Sequence, residues 1–329
     1  MPKIQLDRSD VSFDCPTGET VLRAALRAGI GMSYSCNVGS CGNCRFELIE
    51  GEVAHSRQDP PAWTAKDRDR NRWLGCQAVP ARDCVVKFRP DPAAVPLIRP
   101  APRQGVLLRK TALNYDITEF VFQVTGGPDF LPGQYALMTV PGCDSPRVYS
   151  MSNLGDGGEW HFQIRRVPGG AATTALFDHI QPGDTAQLDG PYGLAYLRKE
   201  APRNIVLIAG GSGLSPIVSL ARGALRDTNR QIAIYFGGRG PADTEAAAVL
   251  RTLDPARVSL TCAVSDPSLG ADWTGRRGFV HKVAIDDLGV ELCDREIYFA
   301  GPAVMAAAIG AALHGLAVPR DQIHFDEFY

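Results

Sequence analysis

The sequence predicts a multidomain chain whose three parts differ in their type of β structure. In the first part, short strand-like runs flank one helical segment and a loop rich in cysteine and glycine. The middle part contains short apolar runs such as "EFVFQV" and "WHFQIRRV" separated by Gly and Pro turns, which is typical of an antiparallel barrel. In the last part, apolar strands such as "NIVLIAGG" alternate with helical stretches, which indicates a parallel α/β sheet.

Length, charge and hydropathy limit the classes of protein to consider. A chain of 329 residues is long enough for two or three domains. Its formal net charge of -2 leaves no basic excess to hold phosphate backbones, so we expect no nucleic-acid partner. The N-terminal residues lack the apolar core of a secretory signal. The most apolar stretch, residues 303–318, is shorter than the roughly 20 residues that span a bilayer. We therefore expect a buried helix there, no membrane partner and a cytoplasmic protein.

Four cysteines in the first part have a spacing that indicates an iron–sulfur cluster. The loop "YSCNVGSCGNC" gives Cys36, Cys41 and Cys44 the pattern C-x4-C-x2-C, and Cys76 follows in "WLGCQAV". Plant-type clusters take three thiolates from this pattern and a fourth from far downstream. Because a reducing compartment disfavours disulfides, the odd total of nine cysteines also argues for metal ligation or buried free thiols.

Zinc and a Rieske centre are the alternative uses of these thiols. Structural zinc sites usually use paired C-x2-C or Cys/His knuckles, and Cys76 has no second close ligand in the sequence. A Rieske centre needs two histidines beside two cysteines, and no histidine here stands in a Cys-x-His arrangement. The spacing therefore favours the iron–sulfur cluster, with zinc as the remaining rival.

The residues around the loop complete the pattern of a known fold. Gly39 and Gly42 let the backbone turn tightly around an inorganic core and aim its amides at sulfur. "ETVLRAALRAGI" before the loop has apolar residues at helical spacing, and "CRFELIEGEV" after it alternates as a strand does. This stretch resembles the β-grasp [2Fe–2S] ferredoxins of the plant type. We assign residues 1–92 to such a domain.

A proline-rich stretch separates this domain from the rest of the chain. Residues 89–105, "RPDPAAVPLIRPAPRQG", contain five prolines, which favour extended backbone and do not join a sheet interior. We therefore expect a semi-rigid linker at residues 93–103. The barrel domain is then assigned to residues 104–199 and the parallel-sheet domain to residues 200–329.

Two motifs in the barrel domain point to a flavin. "RVYSMSN" and the later "VPGGAATTAL" resemble motifs of the ferredoxin–NADP reductase superfamily. That resemblance implies that Arg147 binds the flavin phosphate, Tyr149 lies against the isoalloxazine ring and Ser150 lies near its reactive N5 edge. "LDGPYGLAYL" resembles the superfamily's G-P-x-G turn at the end of the barrel. The domain order resembles that of enzymes that bind FAD noncovalently rather than FMN.

The Gly-Gly stretch resembles the start of the superfamily's diphosphate-binding helix. Gly169 and Gly170 would offer backbone amides to the anion, and Thr173 would offer its hydroxyl. A helix N-terminus suits this role because its first N–H groups have no partner inside the helix.

A second glycine-rich segment begins the parallel-sheet domain. "IVLIAGGSGLSPIVSL" contains a buried strand, then Gly210, Gly211 and Gly213, then a helix beginning near Pro216. This order lets a pyrophosphate meet exposed amides at a helix N-terminus. The segment departs from G-x-G-x-x-G, but it is similar to the superfamily's usual G-G-x-G-x-x-P. We therefore expect a nicotinamide nucleotide here.

Two segments near the C-terminus resemble the superfamily's nicotinamide site. "YFAGPAVM" is similar to C-G-P-x-x-M, with an alanine in place of the cysteine and with the turn residues Gly301 and Pro302 kept. "HFDEFY" resembles an ending in which an aromatic ring covers the flavin and an acid lies near N5. The matches are Phe328 and Asp326, with Tyr329 as an alternative ring. An ordinary frayed terminus is the competing interpretation.

The residues after the second strand of this domain bear on the choice of nucleotide. In "IAIYFGGRGPADTEAAAV", Arg239 could pair with the 2′-phosphate of NADPH. Asp243 and Glu245 could instead bind the ribose hydroxyls of NADH, or they could occupy the first turn of a helix, where acids suit the dipole. Resemblance to NADH-using reductases favours NADH.

Taken in order, the three domains resemble the reductase components of bacterial multicomponent oxygenases. These serve dioxygenases of the naphthalene and carbazole type and diiron monooxygenases of the toluene and phenol type, in aromatic hydrocarbon catabolism. The resemblance implies an NADH-dependent oxidoreductase that passes electrons through FAD and a [2Fe–2S] cluster to a terminal oxygenase or a separate ferredoxin. Two alternatives remain: a reductase for another acceptor, such as a deoxysugar dehydratase, and a non-enzymatic redox carrier or sensor.

Overall fold

The computed structural model describes residues 1–126, 130–143 and 145–328. The chain divides into two compact units. Unit 1 comprises Met1–Pro102 and the short segment Asp189–Tyr192, and unit 2 comprises Arg103–Leu188 and Gly193–Tyr329.

Unit 1 contains a small mixed sheet with one well-buried helix. Its elements are β1 (Lys3–Leu6), β2 (Ser12–Asp14), α1 (Val21–Arg27), β3 (Arg45–Glu50), β4 (Val53–His55), α2 (Ala65–Asp69), β5 (Arg72–Leu74), β6 (Ala78–Pro80) and β7 (Cys84–Lys87). The main sheet has the order β2-β1-β7-β3-β5, with β1 parallel to β7 and the other pairs antiparallel, while β4 pairs with β6. This is the predicted β-grasp arrangement, so that prediction is confirmed.

The helix α1 forms where the sequence predicts it. Its apolar residues recur at helical spacing, and Val21, Leu22, Ala25 and Leu26 are completely buried. The chain leaves the helix at Gly29, whose φ of +80° suits a residue without Cβ. The cysteine-rich loop starts directly after this turn.

The next part of the chain forms a nearly closed antiparallel barrel. Its elements are β8 (Ala101–Ala112), β9 (Ile117–Val124), β10 (Tyr135–Thr139), β11 (Arg147–Ser150), β12 (Glu159–Arg165), α3 (Ala171–Thr174), a π-helical turn (Ala175–His179) and β13 (Thr185–Tyr192). The strand order is β11-β10-β13-β8-β9-β12. A bridge between Met151 and Phe162 brings the two edges of the sheet together. The predicted barrel is confirmed.

The last part is a parallel sheet. Its elements are β14 (Asn204–Gly210), a 3-10 helix (Gly211–Gly213), α4 (Leu214–Asp227), β15 (Ile232–Gly238), a 3-10 helix (Pro241–Thr252), β16 (Val258–Val264), β17 (Arg276–Arg277), α5 (Val280–Leu288), a 3-10 helix (Gly289–Asp294), β18 (Arg295–Pro302), α6 (Ala303–Gly315), a 3-10 helix (Arg320–Gln322) and β19 (Ile323–Phe328). The order is β17-β16-β15-β14-β18-β19, and every pair is parallel. The order reverses between β14 and β18, which makes the carboxyl ends of these strands the expected ligand crevice.

Three local details differ from the sequence-based expectations. β8 begins at Ala101, inside the stretch assigned to the linker, and a short 3-10 helix at Pro92–Ala94 precedes it. α4 begins at Leu214 rather than near Pro216, because proline is tolerated in a first helical turn, where N–H groups lack intrahelical partners. α6 is buried along one face only: Ile309 and Leu313 are buried, but Val304 is 84% exposed. The predicted domain boundaries stay predictions.

Membrane-spanning length can be checked directly for the part of the chain that is described. None of the helices within residues 1–126, 130–143 and 145–328 combines the length and the apolar character needed to cross a membrane.

Candidate functional site

The structure places the four predicted cluster cysteines in unit 1. Cys36, Cys41 and Cys44 lie in the loop between α1 and β3, and Cys76 lies between β5 and β6. Cys36, Cys44 and Cys76 are buried, whereas Cys41 is partly exposed. All nine thiols of the chain, these four included, are free.

Backbone amides point at the sulfur atoms. The hydrogen bonds are Ser40 N to Cys36 Sγ (3.3 Å), Cys41 N to Cys36 Sγ (3.3 Å), Asn43 N to Cys41 Sγ (3.5 Å) and Cys76 N to Cys44 Sγ (3.4 Å). Amide donors stabilise anionic sulfur, which is the form that binds a metal. This loop therefore fits thiolate ligands.

The four thiols form two pairs. A hydrogen bond with Cys36 lowers the pKa of Cys41 to about 5, and the same bond raises the pKa of Cys36. In the second pair, a hydrogen bond with Cys44 raises the pKa of Cys76 well above its usual value. Two pairs of thiols suit a two-iron cluster held by four thiolates.

Arg45 fixes the shape of the loop, and the sequence-based reasoning missed it. Its guanidinium donates to Gly42 O (2.7 Å), Ala62 O (2.5 Å) and Asp67 Oδ1 (3.0 Å). A Cβ on Gly42 would lie 2.2 Å from Arg45 Nη1, and the φ of this glycine is +78°. The sequence offers one sign of this contact: the helix start "TAKD", in which Thr64 and Asp67 form a capping box and so fix the position of the Asp67 carboxylate that Arg45 contacts.

The R-x-Y-S residues form β11 at one edge of the barrel sheet. Arg147 is exposed, and its Nη1 donates to the carbonyl (3.1 Å) and hydroxyl (2.9 Å) of Ser145. Tyr149 packs against the barrel core, and burial raises its pKa to about 12. Ser150 is buried. One short strand thus carries an exposed cation, an aromatic ring and a buried hydroxyl. These groups fit the phosphate, the isoalloxazine ring and the N5 edge of a flavin, respectively.

The Gly-Gly stretch forms a tight turn before α3. Gly169 has a φ of +71°, and a Cβ there would meet nothing within 4 Å, so its surroundings are open. Gly170 N donates to Val167 O (2.9 Å), and the Thr173 hydroxyl donates to Val167 O (3.1 Å). These two groups, which the resemblance assigned to the anion, thus build the turn in this structure. The first amides of α3, at Ala171 and Ala172, remain for an anion because a first helical turn leaves its N–H groups unpaired.

Close approach explains the glycines at the carboxyl end of β14. A Cβ on Gly213 would lie 2.0 Å from Ala300 O, and one on Gly210 would lie 2.7 Å from Met305 Sδ. Gly211 has a φ of +57°. The glycine-rich loop and the "AGP" segment therefore meet in direct contact at the point where the strand order reverses, as a nucleotide crevice requires.

The C-terminal residues reach the same edge of the sheet. β19 is a paired strand rather than a frayed terminus, and its register sets Asp326 opposite Ala300 and Phe328 opposite Pro302. Asp326 is only 8% exposed, and burial raises the pKa of its carboxyl to about 7. Tyr329, the alternative covering ring, lies outside the described residues.

Family models match three successive parts of the chain. A 2Fe-2S iron-sulfur cluster binding domain matches residues 4–81, an oxidoreductase FAD-binding domain matches residues 104–196, and an oxidoreductase NAD-binding domain matches residues 207–310.

Similar proteins match over nearly the whole length. A ferredoxin–NAD(P)+ reductase of Metapseudomonas resinovorans is 36% identical over 320 residues, 96% of this chain and 96% of that protein. The ferredoxin–NAD+ reductase component of an alkene monooxygenase system from Xanthobacter autotrophicus is 37% identical over 323 residues, 96% and 98% of the two chains. The structure of the ferredoxin reductase in carbazole 1,9a-dioxygenase has a TM-score of 0.91 at 32% identity and covers 100% of this chain and 98% of that one. This chain belongs to the ferredoxin–NAD(P)+ reductase family.

The cofactors of the reductase follow from its three domains: a [2Fe–2S] cluster, FAD and a nicotinamide nucleotide. The predicted family, fold class and cofactors are thereby confirmed. The assignment of individual residues to these cofactors stays a prediction.

Asp243 of this reductase is buried and contacts residues of the barrel. It is 6% exposed and accepts hydrogen bonds from Arg239 N (2.7 Å), Gly240 N (2.9 Å), Tyr115 Oη (2.6 Å) and Arg165 Nη2 (2.9 Å). Asp243 thus lies in the first turn of the 3-10 helix Pro241–Thr252 and links that helix to the barrel. This is the second of the two roles that the sequence allowed for Asp243. The neighbouring Glu245 and the Arg239 side chain are exposed.

Arg165 is the second residue that the sequence did not identify. Besides Asp243, it pairs with Asp116 Oδ2 through Nε (2.5 Å). Its Nη1 would lie 2.8 Å from a Cβ on Gly211, so it reaches the nucleotide loop. The local sequence "QIRRV" predicts only a barrel strand with a basic end, so it does not indicate that Arg165 contacts the nucleotide loop.

Proposed function

We propose that this reductase takes electrons from NADH and delivers them through FAD and the [2Fe–2S] cluster to a terminal aromatic-ring oxygenase, either a Rieske dioxygenase or a diiron monooxygenase, or to that oxygenase's ferredoxin. The observation that carries the proposal is the presence of three cofactor domains in one chain that matches the reductase component of an alkene monooxygenase system over 96% of its length. This match favours an oxygenase system over a deoxysugar dehydratase or a non-enzymatic carrier. A cytoplasmic location is inferred with this role.

The cofactors supply what side chains cannot: a nicotinamide gives up two electrons as hydride, a cluster accepts one electron at a time, and a flavin can do both. The residues of the chain position these groups. Cys36, Cys41, Cys44 and Cys76 would hold the two irons as thiolates. The amides that point at their sulfurs stabilise negative charge there.

On the flavin side, Arg147 would bind the phosphate, Tyr149 would support the ring and Ser150 would lie near N5. The turn at Gly169 and Gly170, shaped by the Thr173 hydroxyl, presents the first amides of α3 to the diphosphate.

On the nucleotide side, Gly210, Gly211 and Gly213 let the pyrophosphate approach the backbone. Gly301 and Pro302, which end β18 rather than forming the expected turn, would support the nicotinamide. Asp326 and Phe328 lie opposite that segment in the sheet and would supply the acid and the covering ring.

NADH remains the proposed donor, but the structure moves the argument for it from Asp243 to Arg239. Because Asp243 is committed to four donors, it contributes no ribose contact. Discrimination then depends on Arg239, whose side chain is exposed and whose carbonyl accepts a hydrogen bond from Asp266 N (3.0 Å). A lone arginine beside an acid is a poor 2′-phosphate site, so NADPH gains little.

Anaerobic stopped-flow mixing with NADH tests the electron path. The wild-type protein should bleach its flavin first and then its cluster, and should reduce cytochrome c in steady state. The Cys76→Ser variant should still bleach its flavin but should lose most cytochrome c reduction. If NADH does not bleach the wild-type flavin, the protein is a carrier or sensor. Reconstitution with oxygenases encoded by adjacent genes then identifies the acceptor.

A further inference from the structure

One face of α4 carries a line of polar residues that neither cofactor motif explains. Ser215, Ser219, Arg222 and Arg226 are spaced four, three and four positions apart, so they lie on one side of the helix. Ser215 is 3% exposed and Ser219 is completely buried. We call these four residues the polar stripe. Buried hydroxyls on a helix need partners, since an unpaired one is costly.

The partners of the polar stripe lie on the barrel, directly after the flavin-binding motif. The hydrogen bonds are Ser215 Oγ to Ser150 O (2.6 Å), Arg222 Nη1 to Ser152 O (3.1 Å) and Ser219 Oγ to Asn153 O (2.7 Å), and Arg226 Nη1 pairs with Asp156 Oδ2 (2.8 Å). Ser215 Oγ also accepts from Gln163 N of β12 (3.4 Å). The polar stripe of α4 therefore lies along the barrel segment from residue 150 to residue 156 and bonds it at four positions.

The same helix starts the nucleotide site. Gly213 precedes α4 immediately and touches Ala300 O, and Ser215 is the second residue of the helix. A helix is rigid over such a short distance. Ser215 therefore joins the loop that approaches the nicotinamide nucleotide to the carbonyl of Ser150, the residue placed near flavin N5.

We propose that the polar stripe sets the distance between the two reacting rings, with Ser215 as the principal positioning residue for hydride transfer. The inference rests on the proposed NADH-to-FAD reaction, in which two electrons and one hydrogen pass from nicotinamide C4 to flavin N5, so that NADH is oxidised and the flavin reduced. Ser215 contacts neither reacting atom; it acts through the backbone of Ser150. Reactions of this kind are sensitive to small displacements of the reacting atoms.

The first test is Ser215→Ala in the full-length, FAD-loaded protein. Thr228→Ala is the matched control, because the Thr228 hydroxyl, at the far end of the same helix, donates to Ala224 O (2.7 Å) and accepts from Arg230 N (3.3 Å), both in the parallel-sheet part of the chain. Loss of the Ser215 hydroxyl should lower the limiting rate of flavin reduction by about 10- to 100-fold, the range that misplacement of reacting groups by about 1 Å produces. FAD content and the Kd for NADH should stay within twofold of wild type, and the control should match wild type.

A readout without turnover separates positioning from simple stabilisation. Hydrogen exchange of peptides that cover residues 147–153 should accelerate in Ser215→Ala, and the visible circular dichroism of the bound flavin should change. Ser219→Ala removes a bond of similar length farther from Ser150. It should lower the Tm as much as Ser215→Ala does, but should reduce the limiting rate less.

The outcomes are distinguishable. If the wild-type flavin is not reduced by NADH, the proposed function fails, whatever the variants do. If the wild type is active and Ser215→Ala keeps its limiting rate, the positioning role is overturned while the proposed function stands. A rate loss that follows Tm equally in all three variants also overturns it. Should Ser215→Ala lose FAD, Arg222→Gln decides: an unchanged limiting rate in that variant rejects the proposal.

Discussion

Replacement of Asp326 by Asn should stabilise the nucleotide-binding part of the reductase above about pH 4, where the carboxyl ionises in the unfolded chain, and the gain should grow until the native carboxyl ionises near pH 7. Asp326 is 8% exposed on β19, and burial raises its pKa from 3.8 to about 7. The folded protein therefore binds this proton more tightly than the unfolded chain. Because the folded pKa is the higher one, stability falls as the pH rises from about 4 to about 7 and then levels off.

The magnitude follows from the shift. Each pKa unit corresponds to about 1.4 kcal/mol, so a shift of roughly three units costs about 4 kcal/mol above pH 7 and less than half of that at pH 5. An asparagine cannot ionise and avoids this cost. Since about 1 kcal/mol moves the Tm of a unit of this size by roughly 2–4 °C, the Tm difference between Asp326→Asn and wild type should grow by roughly 5–10 °C from pH 5 to pH 8.

The assay is thermal unfolding of both proteins, followed by far-UV circular dichroism from pH 5 to pH 8. Asp321→Asn is the control: it removes an exposed charge just before the same strand and should show no pH-dependent gain. The difference between variant and wild type cancels every other titrating group. A Tm difference that stays constant with pH, or that shrinks as the pH rises, would refute the reasoning from burial.

Four further outcomes are expected. Cys76→Ser should lose the [2Fe–2S] cluster, seen as loss of its visible and EPR signals, while iron and acid-labile sulfide in the wild type should each approach two per chain; an unchanged spectrum contradicts the ligand assignment. Tyr149→Ala should retain FAD more weakly, by about 0.5–1.5 kcal/mol beyond lost burial, measured by equilibrium dialysis; unchanged retention contradicts ring contact. kcat/KM should be higher for NADH than for NADPH in cytochrome c reduction; the reverse order would point to Arg239 as a phosphate ligand. Asp243→Asn should lower the Tm, because the Arg165 guanidinium loses one of its two charged partners at a cost of about 1–3 kcal/mol. It should leave the nucleotide preference unchanged, and a reversed preference would restore Asp243 to the ribose site.

Local sequence determined the features that depend on spacing along the chain. The C-x4-C-x2-C loop, the positions of α1 and the strands, and the glycines before α4 follow from short-range steric and hydrogen-bonding rules. These signals are strong because a cluster loop or a phosphate loop allows few residue types at fixed intervals. They were enough to predict the fold class, the family and the cofactors before any tertiary contact was known.

Only the tertiary structure decided the roles that depend on residues far apart in sequence. Asp243 has the same local sequence whether it binds a ribose or a neighbouring domain; Tyr115, 128 residues away, and Arg165, 78 residues away, settle that it anchors the barrel. Ser215 is an unremarkable helix residue until α4 packs against Ser150, 65 positions earlier. The physical reason is common to both: a polar side chain takes its function from the groups that burial places around it, and those groups are chosen by the packing of whole elements rather than by local sequence.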